Sequence, residues 1–371
     1  MKPPRSKMSS AYMEWAKLCA PARYNLAVSG VANYPLRELP VRLEDLELTG
    51  ASAYGYEPLE RRLAMKCGLP VECVVAAAGT SMANHLAMAA AFDPGDEVLV
   101  EHPTYELLVS TARYLGAEIR RFSRPFEKGF CVEPREVERQ VTPRTRLIVL
   151  TNLHNPSGAL TEESILRQVG EIAGSVGARV LVDEVYLDTA FEQAPRSAFH
   201  LGGHFISTSS LTKAYGLSGL RCGWVLAEPE LARRVWRLND LYGVIPAHAA
   251  ERLSVIALDH LGRIAARARA LLEANRGLLD RFLDSRPDLH AVRTQAGTTV
   301  FPRLLCGSVE TFSKLLREKY ETSVVPGKFF EMPEHFRVGV SGETQTVAGG
   351  LERLSAALDE LGEGPPASAA G

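Results

Sequence analysis

A chain of 371 residues is long enough for two or three domains and a sizeable buried core. With 46% hydrophobic and 23% charged residues it has the make-up of a globular protein, and a net charge of −2 offers no attraction to nucleic acid or an anionic membrane. The six cysteines (Cys19, Cys67, Cys73, Cys131, Cys222, Cys306) form no Cys-x-x-Cys pair and are expected to be reduced and mostly buried, as in the cytoplasm; the nine histidines fall in no ligand spacing, so no metal site is expected.

In chain order, residues 1–10 are basic but no apolar run follows, so no secretory signal is expected. The most apolar stretch, 74–92, is broken by Gly79, Thr80, Ser81, Asn84 and His85 and does not read as a membrane span. Short β-rich runs at 74–78, 97–101, 118–122, 146–151, 179–184, 205–209 and 223–227 alternate with helical patterns at 82–91, 105–115 and 162–176. Thr161 precedes the last of these, without a full capping box. The alternation predicts βαβ units and a mostly parallel sheet, and apolar runs such as LIVL suit a sheet covered on both faces. Beyond Ala227 the pattern changes to long helices at 229–241 and 251–283. The second carries a basic run, RIAARARALLEANR, read as a solvated helix face. Strands and helices at 299–304, 309–319, 335–340 and 346–361 predict a second, smaller α/β domain, and 362–371 has the composition of a disordered end.

Several stretches carry candidate chemistry. In STSSLTKAYGLSGLRCGW, Lys213 sits in a loop of small and hydroxyl residues between Ser210 and Arg221. A lysine in apolar surroundings is suited to Schiff-base formation, which needs the neutral amine; taken singly it would be an exposed loop lysine. In Ala78-Gly79-Thr80-Ser81 a strand end turns into a helix start, where unpaired N–H groups and hydroxyls make an anion site, or where a hydroxyl simply caps the helix. His102-Pro103-Thr104-Tyr105 puts an aromatic ring at a helix start, and Asn155-Pro156-Ser157-Gly158 forms a turn after the LIVL strand. Asp183 ends the apolar strand VLVD, and a buried carboxylate demands a partner, unless it caps the following turn. Arg337, in Phe336-Arg337-Val338-Gly339, offers a bidentate fork for a carboxylate, or lies on an exposed strand edge.

Six such segments in this order resemble the motifs of the class I/II aminotransferase family of fold-type I pyridoxal-phosphate enzymes, over nearly the whole chain. The resemblance implies a large domain with a mostly parallel seven-stranded sheet flanked by helices, plus a smaller C-terminal α/β domain. Expected boundaries are 1–40 for an N-terminal arm and substrate loop packing with the small domain, 41–250 for the cofactor-binding domain and 251–361 for a linking helix and small domain. It also implies pyridoxal 5′-phosphate held as a Schiff base on Lys213, with the phosphate at Gly79, Thr80, Ser81, Ser210 and Arg221. Tyr105 would stack on the ring, Asp183 would pair with the pyridine nitrogen, and Asn155 and Tyr186 would reach the phenolic oxygen. Glu184 and His154 are expected to be structural. On the substrate side Arg337 would clamp the α-carboxylate, and Gly30 would let backbone approach it, with Gly30-Val31-Ala32-Asn33 replacing the family's usual Gly-Glu-Pro-Asp. Tyr54 or Tyr56 would reach the phosphate of a partner subunit, so that a homodimer shares its sites.

The implied reaction is transfer of an amino group from an L-amino acid to a 2-oxo acid, with Lys213 moving the proton. The same residues serve carbon–sulfur β-lyases and other eliminating or decarboxylating enzymes of the fold. A cofactor-binding regulator would carry an N-terminal DNA-binding domain, for which the two dozen or so residues before the first motif are too few, and no Gly-x-Gly-x-x-Gly marks a dinucleotide site. Without a second arginine identifiable for a dicarboxylate, an aromatic, aliphatic or non-standard amino donor is expected at least as readily as aspartate.

Overall fold

The computed structural model describes residues 9–50 and 53–363. The first elements are α1 (Ala11–Leu18), β1 (Tyr24–Asn25), α2 (Glu57–Cys67), β2 (Val74–Ala78) and α3 (Gly79–Ala91). Then come β3 (Glu97–His102), α4 (Glu106–Tyr114), β4 (Glu118–Ser123), α5 (Pro134–Gln140), β5 (Thr145–Thr151), α6 (Glu163–Ser175) and β6 (Arg179–Asp183). β7 (Phe205–Ser210) and β8 (Cys222–Leu226) are followed by α7 (Pro229–Asn239), α8 (His248–Asp259) and α9 (Leu261–Asp284). The C-terminal part holds β9 (Leu289–His290), β10 (Thr299–Val300), β11 (Arg303–Leu304), α10 (Val309–Lys319), β12 (Thr322–Ser323), β13 (Val325–Pro326), β14 (Phe336–Gly339) and α11 (Thr344–Glu363).

The seven expected strands form one seven-stranded sheet in the order β2-β8-β7-β6-β5-β3-β4, parallel except for β8, which runs against both neighbours. Successive strand residues point to opposite faces, and both faces are covered. Leu147 and Val149 of β5 pack with Leu181, Ile206 and the α3 residues Leu86 and Ala87 on one side. Ile148 and Leu150 pack with Val180, Val182 and the α6 residues Leu166 and Val169 on the other. Each such buried side chain contributes roughly 1.5–3 kcal/mol, so the β5 run cannot slip by one residue without exchanging the two cores. A separate core joins Phe282 and Leu283 of α9, Phe312 and Leu316 of α10, Phe336 and Val338 of β14, Leu354 of α11 and, from the N-terminal segment, Leu26.

Some local expectations are corrected. The helix expected over 251–283 is two helices that break at His260 (φ −114°, ψ 17°); no proline marks the break, and the apolar repeat runs through it. The strand expected over 299–304 is interrupted at Phe301-Pro302: β10 pairs with β14 and β11 with β9, and proline has no N–H for a continuous ladder. Helix α6 begins beyond Glu162 without a side-chain cap, while the Thr161 hydroxyl accepts from Arg124 at 3.2 Å. Only Cys73 and Cys222 are buried; Cys19, Cys131 and Cys306 are exposed, against the expectation that most would be buried, because they lie in connecting segments. Of the tail expected at 362–371, the first two residues continue α11 and the rest lie outside the described residues. Among the described residues no helix is long and apolar enough to cross a membrane.

Candidate active site

The carboxyl ends of β5, β6 and β7 lie side by side, with Thr151 opposite Asp183 and Asp183 opposite Thr208. The chain reverses its direction of sheet growth between β3 and β5, the position at which open α/β sheets hold ligands. A cavity of about 350 Å³ opens there, lined by Thr80, Ser81, Tyr105, Asn155, Asp183, Tyr186, Ser210, Lys213, Arg221 and Arg337 among others. Ten of the residues singled out in the sequence thus meet in one place.

A buried ion pair sets the floor. Arg124 Nη1 lies 2.6 Å from Glu101 Oε2, both side chains fully shielded. Arg124 also donates to the Phe130 and Thr151 carbonyls, and Glu101 Oε1 accepts from the Thr151 N–H (2.8 Å) and hydroxyl (2.6 Å). Burial pushes the Glu101 carboxyl up, against the pull of Arg124 and these donors. Thr151 Oγ1 in turn accepts from the Asn155 N–H at 3.0 Å, which fixes the turn carrying Asn155. His154 is closed off between Ser157 (2.6 Å) and the Pro103 carbonyl (2.9 Å) and is held neutral by burial. Glu184 points away from the cavity and accepts from the Ser197 hydroxyl and the Ala198 N–H, both at 2.6 Å. Neither residue lines the cavity.

Asp183 is buried and accepts from neutral donors, Asn84 Nδ2 at 2.8 Å and the Val185 N–H at 3.1 Å. It therefore caps the turn and faces the cavity at once. Burial raises its pKa to about 6, with the two hydrogen bonds opposing. Half-buried Lys213 extends its amine to 3.0 Å from Ser29 Oγ and 6.0 Å from the Tyr186 ring centre. Burial lowers its pKa, with Arg337 and Arg221 adding to this against Tyr12 and Asp183. Arg337 is not on an exposed edge: it sits on β14, the central strand of a three-stranded sheet, and is 1% exposed. Its Nη1 donates to Asn155 Oδ1 (2.9 Å), and its Nη2 donates to the Tyr12 hydroxyl (3.0 Å) and the Ala27 carbonyl (3.2 Å). Burial works against its charge, yet the phenols of Tyr12 and Tyr186 leave its pKa above the ordinary value.

The β2–β8 ladder, ending at Ala78 opposite Cys222, brings the N-terminus of α3 against Arg221, whose Nη2 donates to the Ala78 carbonyl at 3.2 Å. Gly79 has φ +79°, and a Cβ there would collide with the Arg221 guanidinium. Gly79 therefore lies behind the cavity wall and shapes it without lining it. Gly30 also stays behind the wall, where a Cβ would come 3.5 Å from Lys213 Cδ; Val28 and Ser29 line the cavity in its place. Tyr54 is not in this cavity: it is 61% exposed and donates to Asp240 at 2.8 Å, whereas Tyr56 packs edge-on against His248.

Three further residues were not singled out in the sequence. Asn84 orients Asp183 and accepts from Thr208 at 2.5 Å; its signal was one of several polar residues breaking the apolar stretch 74–92. Tyr12 comes from α1, a segment with no motif, and Ser29 owes its role to a loop crossing the site; neither had a sequence signal.

The cavity fits pyridoxal phosphate on grounds internal to the protein. The Thr80 hydroxyl is buried with no hydrogen-bond partner among the described residues, beside the first amides of the thirteen-residue helix α3, Ser81, Ser210 and Arg221. This is a donor set for a dianionic phosphate. Across the cavity the buried carboxylate of Asp183 is hydrogen-bonded only by neutral donors among the described residues, which leaves it suited to pair with a pyridinium.

Sheet order, site position and donor set define a fold-type I enzyme dependent on pyridoxal phosphate. Residues 48–354 match the family aminotransferase class I and II, and the chain belongs to that family. Capreomycidine synthase of Streptomyces vinaceus is 28% identical over 354 residues, covering 92% of this chain and 90% of its own. A probable aspartate/prephenate aminotransferase of Aquifex aeolicus is 27% identical over 309 residues, covering 78% and 76%. The crystal structure of a PLP-dependent aminotransferase from Streptococcus suis superposes with a TM-score of 0.89 at 28% identity, covering 97% of this chain and 99% of that one.

Proposed function

We propose that the protein is an aminotransferase that moves the amino group of an L-amino acid to a 2-oxo acid, with Lys213 as the lysine that bonds to pyridoxal phosphate. One observation carries the reading: the Lys213 amine shares a cavity with Asp183, Asn155, Tyr186 and Arg337 at the carboxyl edge of the sheet. When bound, the cofactor supplies an electron sink that acidifies the substrate's Cα–H bond. Asp183 holds a proton on the ring nitrogen. Asn155, whose Oδ1 is taken by Arg337, presents its Nδ2 to the phenolic oxygen together with the Tyr186 hydroxyl. Thr80, Ser81, Ser210, Arg221 and the α3 amides hold the phosphate, with Gly79 allowing the close approach. Tyr105 gives the ring an aromatic face. Arg337 fixes the α-carboxylate, and the Lys213 amine takes the Cα proton and returns it. Around Arg337 the walls Tyr12, Met13, Trp15, Ala16 and Val28 carry no charge, which supports an aromatic, aliphatic or non-standard donor at least as readily as aspartate.

A homodimer is part of the proposal. Leu48, Tyr54, Leu241, Tyr242 and Val244 are exposed large apolar residues on two adjoining segments, linked by the Tyr54–Asp240 hydrogen bond. A surface of this kind favours association, and it would present Tyr54, rather than the packed Tyr56, to the partner's phosphate. The core around α9, α10 and α11 supports a small domain within 251–361, whereas Tyr34, Leu39, Ala257 and Ile264 pack with the large-domain residues Leu59 and Leu63, and Tyr12 and Ala27 pack with both Phe130 and Phe330. Six unpaired cysteines accord with a cytoplasmic setting.

A second reading, an eliminating enzyme on the same residues, is supported by the similarity over 92% of the chain to capreomycidine synthase, a relative not named as an aminotransferase. Absorbance spectra with a panel of amino acids, beside Lys213→Ala, separate the two. Conversion of the lysine-bound cofactor to the pyridoxamine form, with release of a 2-oxo acid, is the expected result. Ammonia and a 2-oxo acid appearing while the original band persists would select the second reading. A band unchanged in Lys213→Ala would refute the assignment of the lysine.

A further inference from the structure

The segment from Leu26 to Ala32 crosses the site as a tightly held loop. Its Val31 N–H donates to the Lys213 carbonyl, the Thr298 hydroxyl donates to the Ser29 carbonyl, and the Ser341 hydroxyl donates to the Gly30 carbonyl, each at 2.8 Å. The backbone of Ser29 is therefore fixed relative to the lysine from both the large and the small core. Its side chain, 5% exposed, faces the cavity. There Oγ accepts from the Tyr186 hydroxyl at 2.8 Å and from Lys213 Nζ at 3.0 Å. A serine oxygen has two lone pairs, and both are used, one by each of the groups that lie closest to the chemistry.

We propose that Ser29 is a positioning residue for Lys213: its Oγ berths the lysine amine whenever that amine is free, and steadies it once it carries the proton taken from the substrate's Cα; when Tyr186 turns its proton to the phenolic oxygen, the Ser29 hydroxyl donates to Tyr186 and keeps its lone pairs for the amine. Burial and two nearby guanidiniums, those of Arg337 and Arg221, disfavour the ammonium. That favours the neutral amine a base must be, and weakens support for the protonated state, against the pull of Tyr12 and Asp183. An acceptor at 3.0 Å offsets this, because hydrogen bonds to a charged donor are about twice as strong as neutral ones. It also removes rotamer freedom from a long flexible side chain, and a 1 Å misplacement at such a centre costs about a hundredfold. The hydroxyl itself exchanges no proton in this account, so the Cα proton resides on Nζ throughout its transfer.

The inference rests on the reading of Lys213 given above, and the test separates the two. In cofactor-stripped protein, the pH dependence of Lys213 acetylation by acetic anhydride, read by mass spectrometry on the peptide, reports the lysine's own titration. Ser29→Ala is expected to lower that pKa by about one unit, and Ser29→Thr to restore most of it. In the loaded enzyme, Ser29→Ala is expected to lower kcat about tenfold or more with KM changed less than about threefold, again with recovery in Ser29→Thr. An unshifted lysine titration in Ser29→Ala would overturn the proposal, as would a raised KM with kcat intact, which would make Ser29 a substrate contact. If instead Lys213→Ala retains the lysine-bound cofactor band, the failure lies with the lysine assignment and the berth falls with it.

Discussion

Replacing Asp183 by asparagine separates what the residue does for stability from what it does for the cofactor. In the cofactor-free protein burial raises the Asp183 pKa from 3.8 to about 6. The folded chain thus holds a proton that the unfolded chain releases, so the stability contribution is complete below pH 3.8 and is lost as pH rises through 6. The whole difference amounts to about 3 kcal/mol above pH 7, and about half of it is already present at pH 5. Asparagine has no charge to bury. It can also be satisfied in place: Oδ1 keeps the Val185 N–H, and a flip of Asn84 presents its carbonyl to the new amide while its Nδ2 turns to the Thr208 hydroxyl. Cofactor-stripped Asp183→Asn is therefore expected to be more stable than the parent chain by up to about 3 kcal/mol at pH 8, and by roughly half that at pH 5. Urea denaturation of both proteins at the two pH values measures this. With pyridoxal phosphate added the order reverses, since the mutant gains less stability from the cofactor and turns over far more slowly. A mutant less stable than the parent at pH 8, or a difference independent of pH, would refute the reasoning.

Arg124→Met strands Glu101 without its countercharge and should cost about 3–5 kcal/mol. Urea denaturation should show the deficit shrinking towards pH 5, as Glu101 takes up a proton, and Glu101→Leu in the same chain should recover much of it. Arg337→Lys keeps the charge but loses the fork, and is expected to raise KM for α-amino acids about 10- to 100-fold with a smaller effect on kcat, measured by steady-state kinetics. Gly79→Ala forces a side chain onto a positive φ and against Arg221, so it should lower stability by more than about 1 kcal/mol and weaken cofactor retention, read by denaturation and by dialysis. Leu241→Glu together with Val244→Glu should convert a dimer to monomers in light scattering; a parent chain that is monomeric at micromolar concentration would remove the shared-site proposal.

How much of this was legible in the residues follows from the range over which each feature is decided. The seven strands were readable because a strand covered on both faces must be apolar throughout, and LIVL or VLV between turn residues has few other uses. Lys213, Asp183, Asn155 and Arg337 were readable because local geometry places each on a strand or in the loop that follows one, and their types and order survive as motifs. The break at His260 was not readable, since the apolar repeat passes through it unchanged. What only the tertiary structure decided are contacts between residues far apart in the chain. Asn84 orients Asp183 across 99 positions, Ser29 receives the Lys213 amine across 184, and Tyr12 meets Arg337 across 325. A serine, an asparagine or a tyrosine by itself fits many surroundings, and only chain closure selects one. The periodicity of apolar residues and the identity of the reacting groups were thus written locally, whereas the positions and pKa values of those groups depend on which neighbours the fold buries beside them.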